Sequence, residues 1–144
     1  ERGHARFLQG DYNGALTDFN EAIRINPAEA DYYLQRGQVY EKLHRSADAY
    51  RDYTEAVKYN ERDEKVWLQR GNLLTRLGRW QEAIEDYTVA LTHHPTYAAA
   101  WYNRALARQR LGQLATACAD LKMAEQNGLV VPAKLKKQVC KEGE

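Results

Sequence analysis

The sequence predicts an all-α protein, a solenoid of antiparallel helix pairs that ends in a C-terminal capping helix. One observation is a fixed period, because Gly3, Gly37 and Gly71 recur every 34 residues and alanines and aromatic residues follow the same step. The other is amphipathic periodicity, since apolar residues recur at three- and four-residue steps on both sides of Gly78. Neither helix of such a pair buries its apolar face alone, so the pairs are expected to stack.

The period divides the chain into four repeats and a cap. We expect one domain at 1–141, made of an incomplete repeat at 1–29, repeats at 30–63, 64–97 and 98–131 and a capping helix at 132–141, with a tail at 142–144. The predicted helices include Tyr12 to Ile25, Glu29 to Leu43, Ser46 to Tyr59, Thr96 to Leu111 and Leu114 to Gln126. Gly10, Gly78 and Gly112 are expected to form the turn inside a pair, where the second repeat has His44.

Six positions of the third repeat resemble the tetratricopeptide repeat (TPR) family. They are Trp67, Gly71, Ala83, Tyr87, Ala90 and Pro95. The resemblance extends from residue 1 to about residue 128 and implies a right-handed superhelix. It also implies a protein–protein interaction module that acts as an adaptor or scaffold.

Composition excludes several classes of function. The net charge is +1 with 28% charged residues, which argues against nucleic acid and membrane surfaces as partners. Ser46 is the only serine and the glycines follow the repeat, so we predict no enzyme, no catalytic residues and no cofactor. The chain lacks an initiator Met and begins inside a helix by its register, which predicts a piece of a longer protein. Its localisation therefore stays unknown.

An Arg–Asp ladder runs through the repeats, with each arginine sixteen residues before its aspartate. We define it by the pairs Arg2–Asp18, Arg36–Asp52, Arg70–Asp86 and Arg104–Asp120. The favoured interpretation is an ion pair inside each repeat that fixes how its two helices dock. The alternative is an arginine track for anionic ligands.

The resemblance implies that the first helix of each repeat lines a concave groove. The predicted peptide-binding residues are Leu34, Gln35, Gln38, Lys42, Leu68, Gln69, Asn72, Arg76, Tyr102, Asn103, Leu106 and Arg110. Leucines and a tyrosine would form an apolar line, amides would hold a peptide backbone, and cations would meet an acidic or C-terminal carboxylate group. A solvated face without a ligand is the alternative.

A narrower version resembles the carboxylate clamp of heat-shock co-chaperones. Asn72, Asn103 and Lys137 match that pattern, whereas Leu68 and Ala133 stand where the family has lysines. The missing cations argue against a true chaperone-tail clamp.

Cys118 and Cys140 are either two buried free thiols or a disulfide that attaches the cap. Free thiols would favour the cytoplasm, and a disulfide would favour the periplasm or secretion. We predict no metal site, because the adjacent His93 and His94 lack the spacing of helical ligands.

The sequence therefore predicts a module that binds a peptide segment or a partner protein in its groove. The alternative function is a structural or assembly module, a possible homodimer that associates through its open N-terminal end or convex face.

Overall fold

The computed structural model describes residues 2–140, and helices are the only regular secondary structure within that range. The helices are α1 (Arg2–Leu8), α2 (Tyr12–Ile25), α3 (Ala30–Lys42), α4 (Ser46–Tyr59), α5 (Glu64–Arg76), α6 (Trp80–His93), α7 (Ala98–Arg110), α8 (Leu114–Gln126) and α9 (Ala133–Val139). The predicted cap extends to residue 141 and the predicted tail follows it, so Lys141 and the tail lie outside the described residues.

Contacts within the chain group it into two compact units, residues 1–62 and 63–144. In the first unit α1 packs on α2, α2 on α3, and α3 on α4. In the second, α5 packs on α6, α6 on α7, α7 on α8, and α8 on α9. Helix pairs therefore follow one another as the repeat period predicts, and the boundary between the units falls within one residue of a predicted repeat boundary.

Each helix pair turns at a residue with positive φ. Gly78 has φ +75°; its N–H donates to the Thr75 carbonyl at 3.0 Å, and the Arg79 N–H donates to the Leu74 carbonyl at 2.9 Å. These two hydrogen bonds satisfy carbonyls at the end of α5 in the manner of a Schellman turn. Glycine has no Cβ to clash in this conformation, which explains why glycines occupy the predicted turns inside the helix pairs.

The repeated small residue lets an aromatic ring lie directly against the first helix of its repeat. A Cβ at Gly71 would lie 2.7 Å from Tyr87 Cε1, so even one methyl group would force a rearrangement. In the last repeat Ala105 occupies this place, and the residue at the ring position is Leu121 in the same buried cluster. The small and large residues thus vary together, which keeps the packing density of the core.

The cap is α9, attached to the last repeat by a disulfide and by apolar contact. Cys118 and Cys140 are bonded, with their Cα atoms 5.0 Å apart. Val131 and Val139 are buried in the same cluster as Ala117. The position of the predicted capping helix agrees with α9.

His44 takes the turn position of the second repeat with φ +59°, a conformation that costs a side chain with a Cβ about 1–2 kcal/mol. We expect His44→Gly to raise the free energy of unfolding by about 1 kcal/mol, less than the full strain because glycine also gains entropy when unfolded. Urea unfolding measures the change. The reverse variant, Gly78→His, is the matched control and should lower stability. Unchanged stability in both variants would contradict this account of the turn.

Candidate functional site

A cavity of about 410 Å³ opens between α5 and α7 beside the start of α6, within the second unit. We call it the α5–α7 cavity and define it by its lining residues, Asn72, Thr75, Arg76, Trp80, Tyr87, Asn103, Leu106, Ala107 and Arg110. Its volume falls in the range of about 300–1,000 Å³ that is usual for ligand sites. The wall combines amides and cations with the apolar surfaces of a tryptophan and a leucine.

Two asparagines and a tyrosine meet at one oxygen atom of this cavity. The Tyr87 hydroxyl donates to Asn72 Oδ1 at 2.6 Å, and Asn103 Nδ2 donates to the same oxygen at 3.0 Å. The three residues belong to α6, α5 and α7, so this oxygen links three helices. Gly71 makes the arrangement possible, because the ring of Tyr87 approaches α5 where that residue has no side chain.

The cations of the cavity lie at the C-terminal ends of α5 and α7. Arg76 ends α5, and Arg110 ends α7 with its guanidinium carbon 5.5 Å from the centre of the Trp80 ring. None of the side chains lining the cavity is a carboxylate. The lining therefore contains two cations and no anion, which suits an anionic or hydrogen-bond-accepting group.

The structure brings five of the predicted groove residues together in this cavity. They are Asn72, Arg76, Asn103, Leu106 and Arg110. Trp80 and Tyr87 are not among the predicted site residues, because the resemblance places the groove on the first helix of each repeat and both lie on a second helix, α6. The signal that points to Trp80 is an aromatic residue at the start of the second helix, where the preceding repeat has Ser46.

The predicted apolar line is not an exposed surface. Leu34 and Leu68 are each only 8% exposed, whereas Tyr102 is partly buried against the cluster around the cap. The two leucines therefore belong mainly to the core, which corrects the expectation that they offer apolar area to a ligand. Contacts with neighbouring helices decide this burial, and the repeat register alone does not contain them.

The first unit presents a different set of groups at the predicted groove positions. Gln35 Nε2 donates to Asp31, while Gln35 Oε1 is buried without a hydrogen-bond partner. The Tyr53 hydroxyl donates a hydrogen bond to the Glu41 carboxylate, so an acidic side chain lies beside this ring. Lys42 is exposed at the end of α3. No arrangement comparable to the α5–α7 cavity forms among these side chains.

The Arg–Asp ladder forms ion pairs inside the repeats, as predicted. Arg36 donates to both carboxylate oxygens of Asp52 at 2.8 and 2.7 Å, and Arg70 does the same to Asp86 at 2.8 and 2.9 Å. Burial raises the pKa of both aspartates, and the hydrogen bonds from their arginines partly offset this. The arginines are therefore committed to helix docking, and the structure gives no support to an arginine track for ligands.

The adjacent histidines of the sequence lie at the C-terminal end of α6. The helix ends at His93, and His94 Nε2 lies 2.9 Å from a Glu64 carboxylate oxygen. Within residues 2–140, no group of three His, Cys, Asp or Glu side chains is placed to hold a metal ion. None of the helices in that range has the length and apolar character needed to cross a membrane.

Profiles of known families match most of the helical region. The family described as "TPR repeat" matches residues 3–43 and 71–112, and the family described as "Tetratricopeptide repeat" matches residues 30–63. A curated relative, Hsp70-Hsp90 organizing protein 3 of Arabidopsis thaliana, is 42% identical over 48 residues. That stretch is 33% of this chain but only 9% of the relative, so the two share a small part of the relative's length.

Solved structures show the same fold. MamA superposes with a TM-score of 0.83 at 19% identity, covering 89% of this chain and 75% of MamA. The first TPR of Spaghetti (RPAP3), solved with the HSP90 peptide SRMEEVD, superposes with a TM-score of 0.72 at 26% identity. That match covers 76% of this chain and 89% of the other. The predicted all-α solenoid is confirmed, and the chain belongs to the tetratricopeptide repeat family.

Proposed function

We propose that this protein-interaction module acts as an adaptor by binding a peptide segment of its partner in the α5–α7 cavity, through a carboxylate group. The observation that supports the proposal is the make-up of the cavity. Amide groups and two arginines converge on about 410 Å³ whose lining contains no acid. A carboxylate accepts several hydrogen bonds at once, and bonds to a charged acceptor are the stronger ones.

The apolar part of the cavity gives the peptide a second point of contact. Trp80 and Leu106 line the cavity together with the amides, so a peptide side chain next to the carboxylate would lie against them. Aromatic and aliphatic anchors in such pockets supply much of the affinity of peptide complexes, while polar groups fix orientation. The predicted ligand is therefore a segment with a C-terminal or side-chain carboxylate and an adjacent apolar residue.

The similar proteins support a peptide ligand of this type. The TPR of Spaghetti was solved with SRMEEVD, a peptide rich in carboxylates, and the plant relative is named as an organiser of Hsp70 and Hsp90. This chain departs from the carboxylate clamp at Leu68 and Ala133, where cations would be expected. We therefore propose an acidic peptide as the ligand class and expect weaker binding of SRMEEVD than a complete clamp would give.

The double variant Asn72→Ala/Asn103→Ala tests the proposal. It should weaken binding of an acidic peptide by about 1–3 kcal/mol, because two donors to the carboxylate are lost. Fluorescence anisotropy would measure labelled SRMEEVD and a panel of heptapeptides with different acidic C-termini, each made as free acid and as C-terminal amide. The fold should persist with lower stability, since the buried Tyr87 hydroxyl loses its acceptor. Circular dichroism monitors that loss.

Gln81→Ala provides the matched control, because it removes an exposed amide from α6 outside the cavity lining. It should leave peptide affinity unchanged. Equal affinity of the wild type and the double variant would refute the cavity as the peptide site. Absence of binding across the panel, together with a mass that rises with concentration in light scattering, would instead support the assembly function.

We also propose that this module resides in an oxidising compartment, the periplasm or the cell exterior. The support is the bonded pair Cys118 and Cys140, because disulfides persist mainly in such compartments. The test is to alkylate free thiols during lysis of the source cells and then to measure the mass of the protein by mass spectrometry, which counts the alkylated cysteines. Alkylation of both cysteines before any reductant is added would refute it.

A further inference from the structure

The floor of the α5–α7 cavity contains a buried hydroxyl group that the peptide contacts proposed above do not use. The side chain of Tyr87 is only 1% exposed, and its hydroxyl donates to Asn72 Oδ1 at 2.6 Å. Burial, the largest influence, raises the pKa of Tyr87 to about 12. The hydroxyl therefore stays protonated and able to donate at neutral pH.

Two donors use the acceptor capacity of the Asn72 side chain. Its oxygen accepts from the Tyr87 hydroxyl and from Asn103 Nδ2, which accounts for both of its lone pairs. A reversed Asn72 amide would face Asn103 Nδ2 with a second donor, and reversing both amides would restore that bond but deprive the buried Tyr87 hydroxyl of this acceptor. The arrangement therefore fixes the oxygen of Asn72 toward α6 and α7 and leaves its N–H groups for the cavity.

We infer that Tyr87 is a positioning residue that makes the cavity select hydrogen-bond acceptors, and so a carboxylate over a carboxamide. The inference rests on the proposed function and specifies how its site discriminates between ligands. A carboxylate offers two oxygens, and both can accept hydrogen bonds from the N–H donors of the cavity. A carboxamide in the same place would turn an N–H toward another N–H and leave donors unpaired, which is the costlier outcome in a partly buried site.

The second repeat shows that a tyrosine at this register does not by itself create the arrangement. Tyr53 occupies the equivalent place and is buried as fully as Tyr87. Its hydroxyl, however, bonds to the carboxylate of Glu41 rather than to an amide. In the last repeat Leu121 takes the position and has no hydroxyl at all. Within the described residues, the tyrosine–amide arrangement therefore occurs at the α5–α7 cavity alone.

Tyr87→Phe tests the inference with Tyr53→Phe as its matched control. Each variant removes one buried hydroxyl and retains the ring, so both should lose thermal stability to a similar extent. The probes are SRMEEVD as free acid and as C-terminal amide, and the quantity measured is the dissociation constant of the amide divided by that of the acid. We expect Tyr87→Phe to lower this ratio about five- to tenfold and Tyr53→Phe to leave it unchanged.

A measurement on the protein without peptide tests the inference even if neither peptide binds. Hydrogen bonds accepted by the Asn72 oxygen strengthen the partial double bond between its carbonyl carbon and Nδ2. Exchange between its two Nδ2 hydrogens, followed by nitrogen-15 NMR, should therefore be faster in Tyr87→Phe than in the wild type or Tyr53→Phe. Equal exchange rates in all three proteins would overturn the inference.

The two proposals fail in different ways. If Asn72→Ala/Asn103→Ala does not change peptide affinity, the proposed function is wrong. If that variant weakens binding while Tyr87→Phe retains the amide-to-acid ratio of dissociation constants of the wild type, the peptide site stands and the positioning role of Tyr87 is refuted.

Discussion

Replacing Asp120 with alanine is expected to lower the free energy of unfolding by about 3–5 kcal/mol, because it leaves buried positive charge uncompensated. Its Oδ1 accepts from Arg104 Nη2 at 2.8 Å, and its Oδ2 accepts from Arg104 Nε at 2.9 Å and from Arg108 Nη1 at 2.8 Å. The two arginine side chains are only 11% and 20% exposed. Two guanidinium groups would therefore lose their shared counter-charge with little access to water.

The surroundings of Arg108 leave no replacement for the lost carboxylate. Its Nε is already buried without a hydrogen-bond partner, so the alanine variant would add further unpaired donors to the same place. Urea unfolding followed by circular dichroism measures the effect. Glu82→Ala is the control, because Glu82 pairs with Arg79 on the surface and such pairs contribute about 0–1 kcal/mol. Equal losses in the two variants would contradict the burial argument.

Removing the disulfide with Cys118→Ala/Cys140→Ala is expected to lower stability by about 3 kcal/mol. The bond closes a loop with a sequence separation of 22. Without this cross-link the unfolded chain has more conformational entropy, which stabilises the unfolded state by about 3 kcal/mol. The cap is sensitive to the change because α9 has only 7 residues, too few for a stable isolated helix. Its remaining attachments would include Val139, Leu135 and the ion pair between Lys136 and Glu125.

Two measurements check this expectation. Urea unfolding gives the loss of stability, and limited trypsin digestion should cut first after the lysines of α9. A reductant should shift the wild type toward the variant and leave the variant itself unchanged. An unfolding curve of the wild type that does not respond to reductant would show that the bond contributes nothing to stability.

The sequence predicted both bounds of three helices, each of them the second helix of its repeat. The expected bounds of Tyr12–Ile25, Ser46–Tyr59 and Leu114–Gln126 agree with α2, α4 and α8. Predicted helices that begin near Glu29 and Thr96 start one or two residues later in the structure. Differences of one or two residues are usual at helix ends, where the hydrogen-bonding pattern changes gradually.

The candidate site was predictable only in part. The resemblance to the TPR family implied Asn72 and Asn103 as site residues, but it did not imply the role of Tyr87. An amide precedes a tyrosine by the same interval in the second repeat, where Gln38 precedes Tyr53. The hydroxyl of Tyr53 nevertheless bonds to Glu41. Which neighbour receives a hydroxyl hydrogen bond depends on side-chain length and on the packing of a third helix, and sequence spacing contains neither.

The Arg–Asp ladder has a consequence for how such a chain changes length in evolution. Arg36 and Asp52 belong to one repeat, and Arg104 and Asp120 belong to another, so each of these charges is balanced inside its own repeat. Duplicating or deleting one whole repeat would add or remove an arginine together with its aspartate and leave neither ion of the pair without its partner. Recombination that keeps the 34-residue register is thus tolerated electrostatically, because any arginine-bearing helix is followed by an aspartate-bearing one, whereas loss of a single helix would leave one of the two charges unpaired.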